Sequence, residues 1–67
     1  MNRVVEELKA RRIEAGLSIS EVARRMGTNH ARLSEIENER GGLTLKRMYQ
    51  WAEALGLKVT IKFEKYV

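Results

Sequence analysis

A chain of 67 residues has room for one small domain, and because it contains no cysteine and a single histidine, disulfides and thiolate zinc sites are excluded as supports for it. Its 13 lysines and arginines exceed its 9 acidic residues, so the net charge of +4 favours an anionic partner such as nucleic acid, although ordinary solubility charge has the same appearance. No apolar run is long enough for a signal peptide or a membrane span, so we expect a cytoplasmic protein. Because so small a domain is only marginally stable, we also expect it to gain stability by forming oligomers.

Four helices are predicted, each beginning at a residue that suits a helix end. The first spans residues 2–15, and the second follows a capping box at residues 18–21, in which hydroxyl and carboxylate bond reciprocally to backbone N–H groups. The third begins at Thr28 or Asn29, and the fourth at Thr44. The apolar residues expected to pack inward are Val4, Val5, Leu8, Val22, Ala23, Met26, Leu33, Ile36, Leu45, Met48, Ala52 and Leu55.

The end of the chain differs from the rest. A loop precedes the fourth helix, where Gly41 and Gly42 permit positive φ angles, and Gly56 ends that helix. Residues 57–67 then alternate between apolar and polar side chains, which is typical of a half-buried strand. A lone strand leaves its hydrogen-bonding groups unpaired, so the simplest partner is the same strand of a second copy across a two-fold axis. The side chains that would cover each other there are Val59, Ile61 and Phe63.

The most informative part of the sequence is residues 17–38. Two short helices meet at Gly27 almost without a linker, which forces a steep crossing and leaves the second of them, the recognition helix, exposed. A helical wheel places no large hydrophobic residue on its outer face, which holds His30, Ala31, Ser34, Glu35 and Asn38. Short hydrogen-bonding side chains of this kind can meet base edges in a major groove, whereas an ordinary solvated helix face is the plain alternative.

The part of the chain from Leu8 to Leu57 contains the segments LKARRIEAGLS, EVARRMGT, LSEIEN and LKRMYQWAEALGL. These four segments resemble the Cro/repressor-type helix-turn-helix family, also called the XRE family. The resemblance implies a mainly α fold: a lambda-repressor-like bundle of four helices, with one C-terminal β-strand that pairs across a homodimer. The DNA-binding domain is then expected over residues 1–56 and the dimerisation strand over residues 57–67.

The resemblance also implies roles for individual residues. His30, Ala31 and Glu35 occupy the positions at which the family contacts bases. Arg12 and Glu37 occupy positions where relatives hold an ion pair that joins the first and third helices. The residues expected to contact DNA, through bases, phosphates or sugars, are Ser18, Ser20, Asn29, His30, Ala31, Arg32, Ser34, Glu35, Asn38 and Arg40.

Three positions allow more than one interpretation. Ile19 stands where relatives often carry glutamine, so a contact that braces the recognition helix is expected to be missing. Glu35 could accept a hydrogen bond from cytosine N4, repel phosphate, or face away from DNA. Trp51 lies at the edge of the apolar stripe of its helix, and it belongs either to the core or, with Val59, Ile61 and Phe63, to the dimer interface.

The four-helix plan followed by a strand, including TLKRMYQWAEALGLKVTI, is similar to antitoxins of the HipB and HigA types from bacterial toxin–antitoxin modules. Those proteins pair strands between two protomers, repress their own operon and bind the toxin. We therefore expect a homodimeric repressor of bacterial or phage origin that binds a palindromic operator, with recognition helices about 34 Å apart. The alternative is a protein-interaction module that mainly neutralises a toxin, through an edge ending at Tyr66 and Val67. No cofactor or metal is expected, and because no catalytic set of residues can be assembled, neither is an enzyme.

Overall fold

The structure, a computed structural model, describes residues 2–66 and contains four α-helices within them. In chain order they are α1 (Arg3–Glu14), α2 (Ile19–Met26), α3 (His30–Glu37) and α4 (Leu45–Ala54). Met1 and Val67, the outer ends of the two predicted regions, lie outside the described residues. None of the helices within residues 2–66 combines the length and the apolar character that crossing a bilayer requires.

Each helix begins at a short polar side chain whose oxygen accepts a hydrogen bond from a backbone N–H of the first turn. Asn29, and not Thr28, is therefore the cap of α3. The capping box of α2 forms only in part, because the Glu21 carboxylate, which was expected to bond back to the cap, accepts from Arg24 Nη2 at 2.7 Å. The four caps are Asn2, Ser18, Asn29 and Thr44, with shortest N to O distances of 2.9, 3.0, 2.8 and 3.1 Å.

All four helices end in the same way, with a hydrogen bond from a backbone N–H to the carbonyl five residues earlier. This arrangement requires a residue with positive φ just before the donor. Three helices use a glycine there, as Gly27 does after α2 with a φ of 77°. After α3 the residue is Glu39, with a φ of 56°, because Arg40 N–H bonds to Glu35 O at 2.9 Å. Gly41 and Gly42, which permit positive φ, do not adopt it, since the left-handed turn comes before them.

The core lies where α2 packs against both α3 and α4, with α1 against α3. Trp51 is 0% exposed within one chain, so the core is the correct one of its two predicted places, and the side chain has no free surface to offer a second copy. Val4 and Leu45 were expected to pack inward and are exposed: Val4 lies beside the buried stripe, and Leu45 begins α4 one turn before Met48. The buried apolar residues are Val5, Leu8, Val22, Ala23, Met26, Leu33, Ile36, Trp51 and Ala52.

The tail, residues 57–66, has no regular secondary structure in the part of the chain described. Leu57 and Val59 nevertheless pack half-buried against the core, whereas Lys58 and Thr60 are exposed, so the predicted alternation is present at the start of the tail. The predicted strand over residues 57–67 does not form between residues 57 and 66 of a single chain. A strand is defined by its pairing with a neighbour, and four helices supply no such edge.

Candidate nucleic-acid interface

Helix α3 is anchored on one side and open on the other. Leu33 and Ile36 are buried in the core, and Glu37 is the one buried charged residue among residues 2–66. The opposite side presents the predicted contact residues to solvent, with Ser34 half-buried among them. The exposed members are Asn29, His30, Ala31, Arg32, Glu35 and Asn38. The structure thus brings these predicted site residues together on one surface.

The turn between α2 and α3 holds the two helices in a fixed relation. Gly27 adopts the left-handed conformation at the end of α2, and Thr28 N–H bonds to Ala23 O at 2.9 Å across it. Because only Thr28 and Asn29 separate Gly27 from α3, the chain has little freedom to change the crossing of the two helices. Ala23, close to this turn, gives α2 a small side chain that is buried in the core.

An ion pair joins α1 to the end of α3, as the resemblance implies. Arg12 Nε lies 2.7 Å from Glu37 Oε2, and Arg12 Nη2 donates to Glu37 Oε1 at 3.0 Å. The third guanidinium nitrogen donates to Leu17 O at 2.8 Å, so the same side chain also holds the loop between α1 and α2. Two parallel hydrogen bonds fix the orientation of both groups, and their burial keeps them from contacting DNA. The pair therefore positions α3 without belonging to its exposed face.

A second link between α2 and α3 lies at the exposed edge of the turn. Ser20 Oγ is 2.8 Å from His30 Nδ1, which connects the first turn of α2 to the first residue of α3. The apolar Ile19 cannot make the contact expected of glutamine, and Ser20 provides a different link between α2 and α3. Ile19 packs half-buried against the core, and its neighbour Ser20 makes the polar contact. The sequence places Ser20 and His30 at helix starts but does not specify how closely those two starts approach each other.

The far end of α3 is also held by side chains. Asn38 Nδ2 donates to Ser34 O at 2.8 Å and lies 3.4 Å from Ser34 Oγ. Arg32 and Arg40 differ from these residues, because their side chains are exposed and make no hydrogen bond or ion pair within residues 2–66. They are the cations most readily available to phosphate groups beside α3.

Two other arginines, Arg24 and Arg25, make contacts within the protein. Arg24 Nη2 bonds to the Glu21 carboxylate at 2.7 Å, and this hydrogen bond lowers the pKa of Glu21 and raises that of Arg24. Arg25 lies 3.4 Å from the same carboxylate, and its Nη1 donates to Ala54 O at 3.1 Å, at the end of α4. Ser18 Oγ is used as the cap of α2. These contacts stabilise α2 and its packing against α4.

Comparison with known families agrees with this geometry. The model of the helix-turn-helix family HTH_3 matches residues 8–61, which include α2, α3 and α4 and most of α1. Searches of curated proteins and of solved structures gave no match. The matched span also contains both partners of the Arg12–Glu37 pair and the Ser20–His30 contact. The chain therefore belongs to the XRE-type helix-turn-helix family of DNA-binding regulators.

Proposed function

We propose that the protein is a homodimeric, sequence-specific repressor that binds a palindromic operator by placing α3 in the major groove. The observation that carries this proposal is the two-sided character of α3. Leu33, Ile36 and the ion-paired Glu37 fix the helix to the body of the protein, while its other side exposes only small or polar side chains. A rigid helix with such a face has the dimensions and hydrogen-bonding groups that major-groove recognition needs.

Charge supports DNA as the ligand. Arg32 lies on α3 and Arg40 just beyond it, and both are exposed and unpaired within residues 2–66. Cations at the two ends of a recognition helix can neutralise phosphates on either side of the groove, which adds affinity without sequence preference. Glu35 lies between them and is the exposed acidic residue of α3. We propose that Glu35 accepts a hydrogen bond from cytosine N4, because an unpaired carboxylate beside phosphates would otherwise weaken binding.

The tail supports the homodimer. Ile61 and Phe63, which continue the apolar alternation that begins against the core, are 45% and 93% exposed, and Tyr66 beyond them is 98% exposed. A groove of about 560 Å³ lies between α1, α4 and the start of the tail, with Val4 and Met48 among its lining residues. Antiparallel pairing of two tails would supply the backbone partners that each lacks and cover these side chains. Burial of an apolar side chain contributes about 1.5–3 kcal/mol, so a few per chain suffice to hold a dimer together.

The test combines selection of bound duplexes from a random pool with measurement of the mass of the complex. We expect a consensus with two-fold symmetry, half-sites about one helical turn apart, and two chains per duplex. His30→Ala, which alters the exposed face of α3, serves as the variant whose consensus should lose its base preference at one position of each half-site. A selected site without symmetry, or a complex with one chain per duplex, contradicts the proposal.

A second function, neutralisation of a toxin, is favoured by the tail alone. Phe63 and Tyr66 are almost fully exposed and contact little of their own chain, so a partner protein could use them as well as a second copy. A toxin-like reading frame beside the gene, and a complex in which that product protects Phe63, would support this role. We further propose a cytoplasmic protein that acts by binding alone, without cofactor or catalysis.

A further inference from the structure

The contact between Ser20 and His30 decides which part of the imidazole faces outward. Ser20 Oγ lies 2.8 Å from His30 Nδ1, and both residues are exposed. An exposed histidine would otherwise rotate and present either ring nitrogen. With Nδ1 held by α2, only Nε2 remains available to a ligand. The hydroxyl therefore fixes the orientation of the ring and turns its Nε2 edge outward.

The hydroxyl also influences which nitrogen carries the proton. Ser20 can donate to Nδ1, and the neutral ring then bears its proton on Nε2. Such a ring presents a donor to DNA, whose major groove offers the acceptor N7 on every purine. Arg32 and Arg40 are exposed cations suited to phosphates, which leaves the imidazole for a base edge.

We propose that Ser20 is a positioning residue that makes His30 a reader of purines. Its hydroxyl donates to Nδ1, and Nε2–H donates to the N7 atom of a purine in each half-site. Because guanine and adenine share N7, a single donor distinguishes purine from pyrimidine at that base pair and does not distinguish the two purines. This inference rests on the proposed function, since it requires a selected operator.

A double-mutant cycle tests whether Ser20 acts through His30. We expect Ser20→Ala to weaken binding to the selected operator about fivefold, the effect of one neutral hydrogen bond. Ser20→Thr, which keeps the hydroxyl, should retain most of the affinity. In the His30→Ala background, Ser20→Ala should have no further effect, because its only route to DNA is already lost.

Two further measurements address the atoms themselves. His30 is the single histidine of the chain, so its ring nitrogens can be assigned directly by nitrogen NMR. In a mildly alkaline buffer, the operator complex should show the proton on Nε2, and Ser20→Ala should shift the Nδ1 signal in the free protein as well. Replacing each purine of the half-site in turn by its 7-deaza analogue should weaken the wild type about fivefold at one position and leave His30→Ala unaffected.

The outcomes separate this inference from the function on which it rests. A symmetric operator bound equally well by wild type and Ser20→Ala overturns the positioning role and leaves the repressor intact. A proton on Nδ1 in the complex, or no response to any 7-deaza purine, overturns the assignment of Nε2–H to purine N7. Failure to select any operator overturns both proposals.

Discussion

The Arg12 guanidinium holds the Glu37 carboxylate through two hydrogen bonds, 2.7 Å from Nε to Oε2 and 3.0 Å from Nη2 to Oε1. The pair connects α1 with the last residue of α3, and its third bond reaches Leu17 O. The pair mainly orients α3 relative to α1 and adds little net stability, because the cost of removing two charges from water offsets much of their attraction. Removing one partner, in contrast, leaves a buried charge without its counterion.

The first prediction follows from that asymmetry. Glu37→Ala should lower the free energy of unfolding by about 3 kcal/mol, because Arg12 loses its counterion in a largely buried place. The double variant Arg12→Ala/Glu37→Ala should lose less than the sum of Arg12→Ala and Glu37→Ala, since no unpaired charge remains. Urea denaturation followed by circular dichroism measures both. Strictly additive losses would show that the two side chains do not interact.

A second prediction concerns Glu39, which has a φ of 56° where the other three helices end in glycine. A left-handed conformation costs a residue with a Cβ roughly 1 kcal/mol, so Glu39→Gly should be more stable than Glu39→Ala by about that amount. The comparison is matched, because both variants lose the hydrogen bond that the Glu39 carboxylate accepts from Asn2 N–H. Equal stabilities would mean that the turn relaxes when the side chain is shortened.

The third prediction tests the tail with two isoleucines of similar exposure. Ile61 in the tail is 45% exposed and Ile13 on α1 is 59% exposed. If tails pair between two copies, Ile61→Ser should raise the dimer dissociation constant at least about tenfold, because apolar burial is lost in both chains. Ile13→Ser should leave it unchanged. Sedimentation equilibrium gives both constants, and an equal effect of the two variants would place the interface elsewhere.

The fourth prediction concerns salt. Arg32→Gln or Arg40→Gln should weaken binding to all duplexes alike and reduce the slope of log affinity against log salt by about two per dimer, one for each lost phosphate contact. Lys9→Gln is the control, because it removes the same charge from α1, where none of the predicted DNA contacts lies. Filter binding at several salt concentrations gives the slopes. A slope that changes equally for the control would assign the effect to net charge.

Local signals predicted the helices well. The cap residues Asn2, Ser18 and Thr44 act through backbone groups within three residues, so their chemistry is legible in the sequence. The same holds for the turn at Gly27. A helix end formed by a residue other than glycine cannot be predicted in this way. The positive φ of Glu39 was not predicted because it is imposed by the bond from Arg40 N–H to Glu35 O.

Contacts between helices were harder to predict. The resemblance implied the Arg12–Glu37 pair, whereas the Ser20–His30 contact depends on how closely the starts of α2 and α3 approach each other. Spacing along the chain carries no information about that distance. Burial at the edges of helices is similarly global: Val4 and Leu45 fit apolar stripes and are exposed, because a stripe is covered only where a neighbouring element passes over it.

Trp51 is the only tryptophan of the chain, it is fully enclosed, and its indole N–H has no acceptor among residues 2–66. Its fluorescence is therefore an intrinsic probe of folding. The emission should shift to longer wavelength when water enters the core and stay almost constant while DNA docks on the outer side of α3. A fluorescence measurement can then distinguish an unfolded variant from a folded variant that no longer binds the operator.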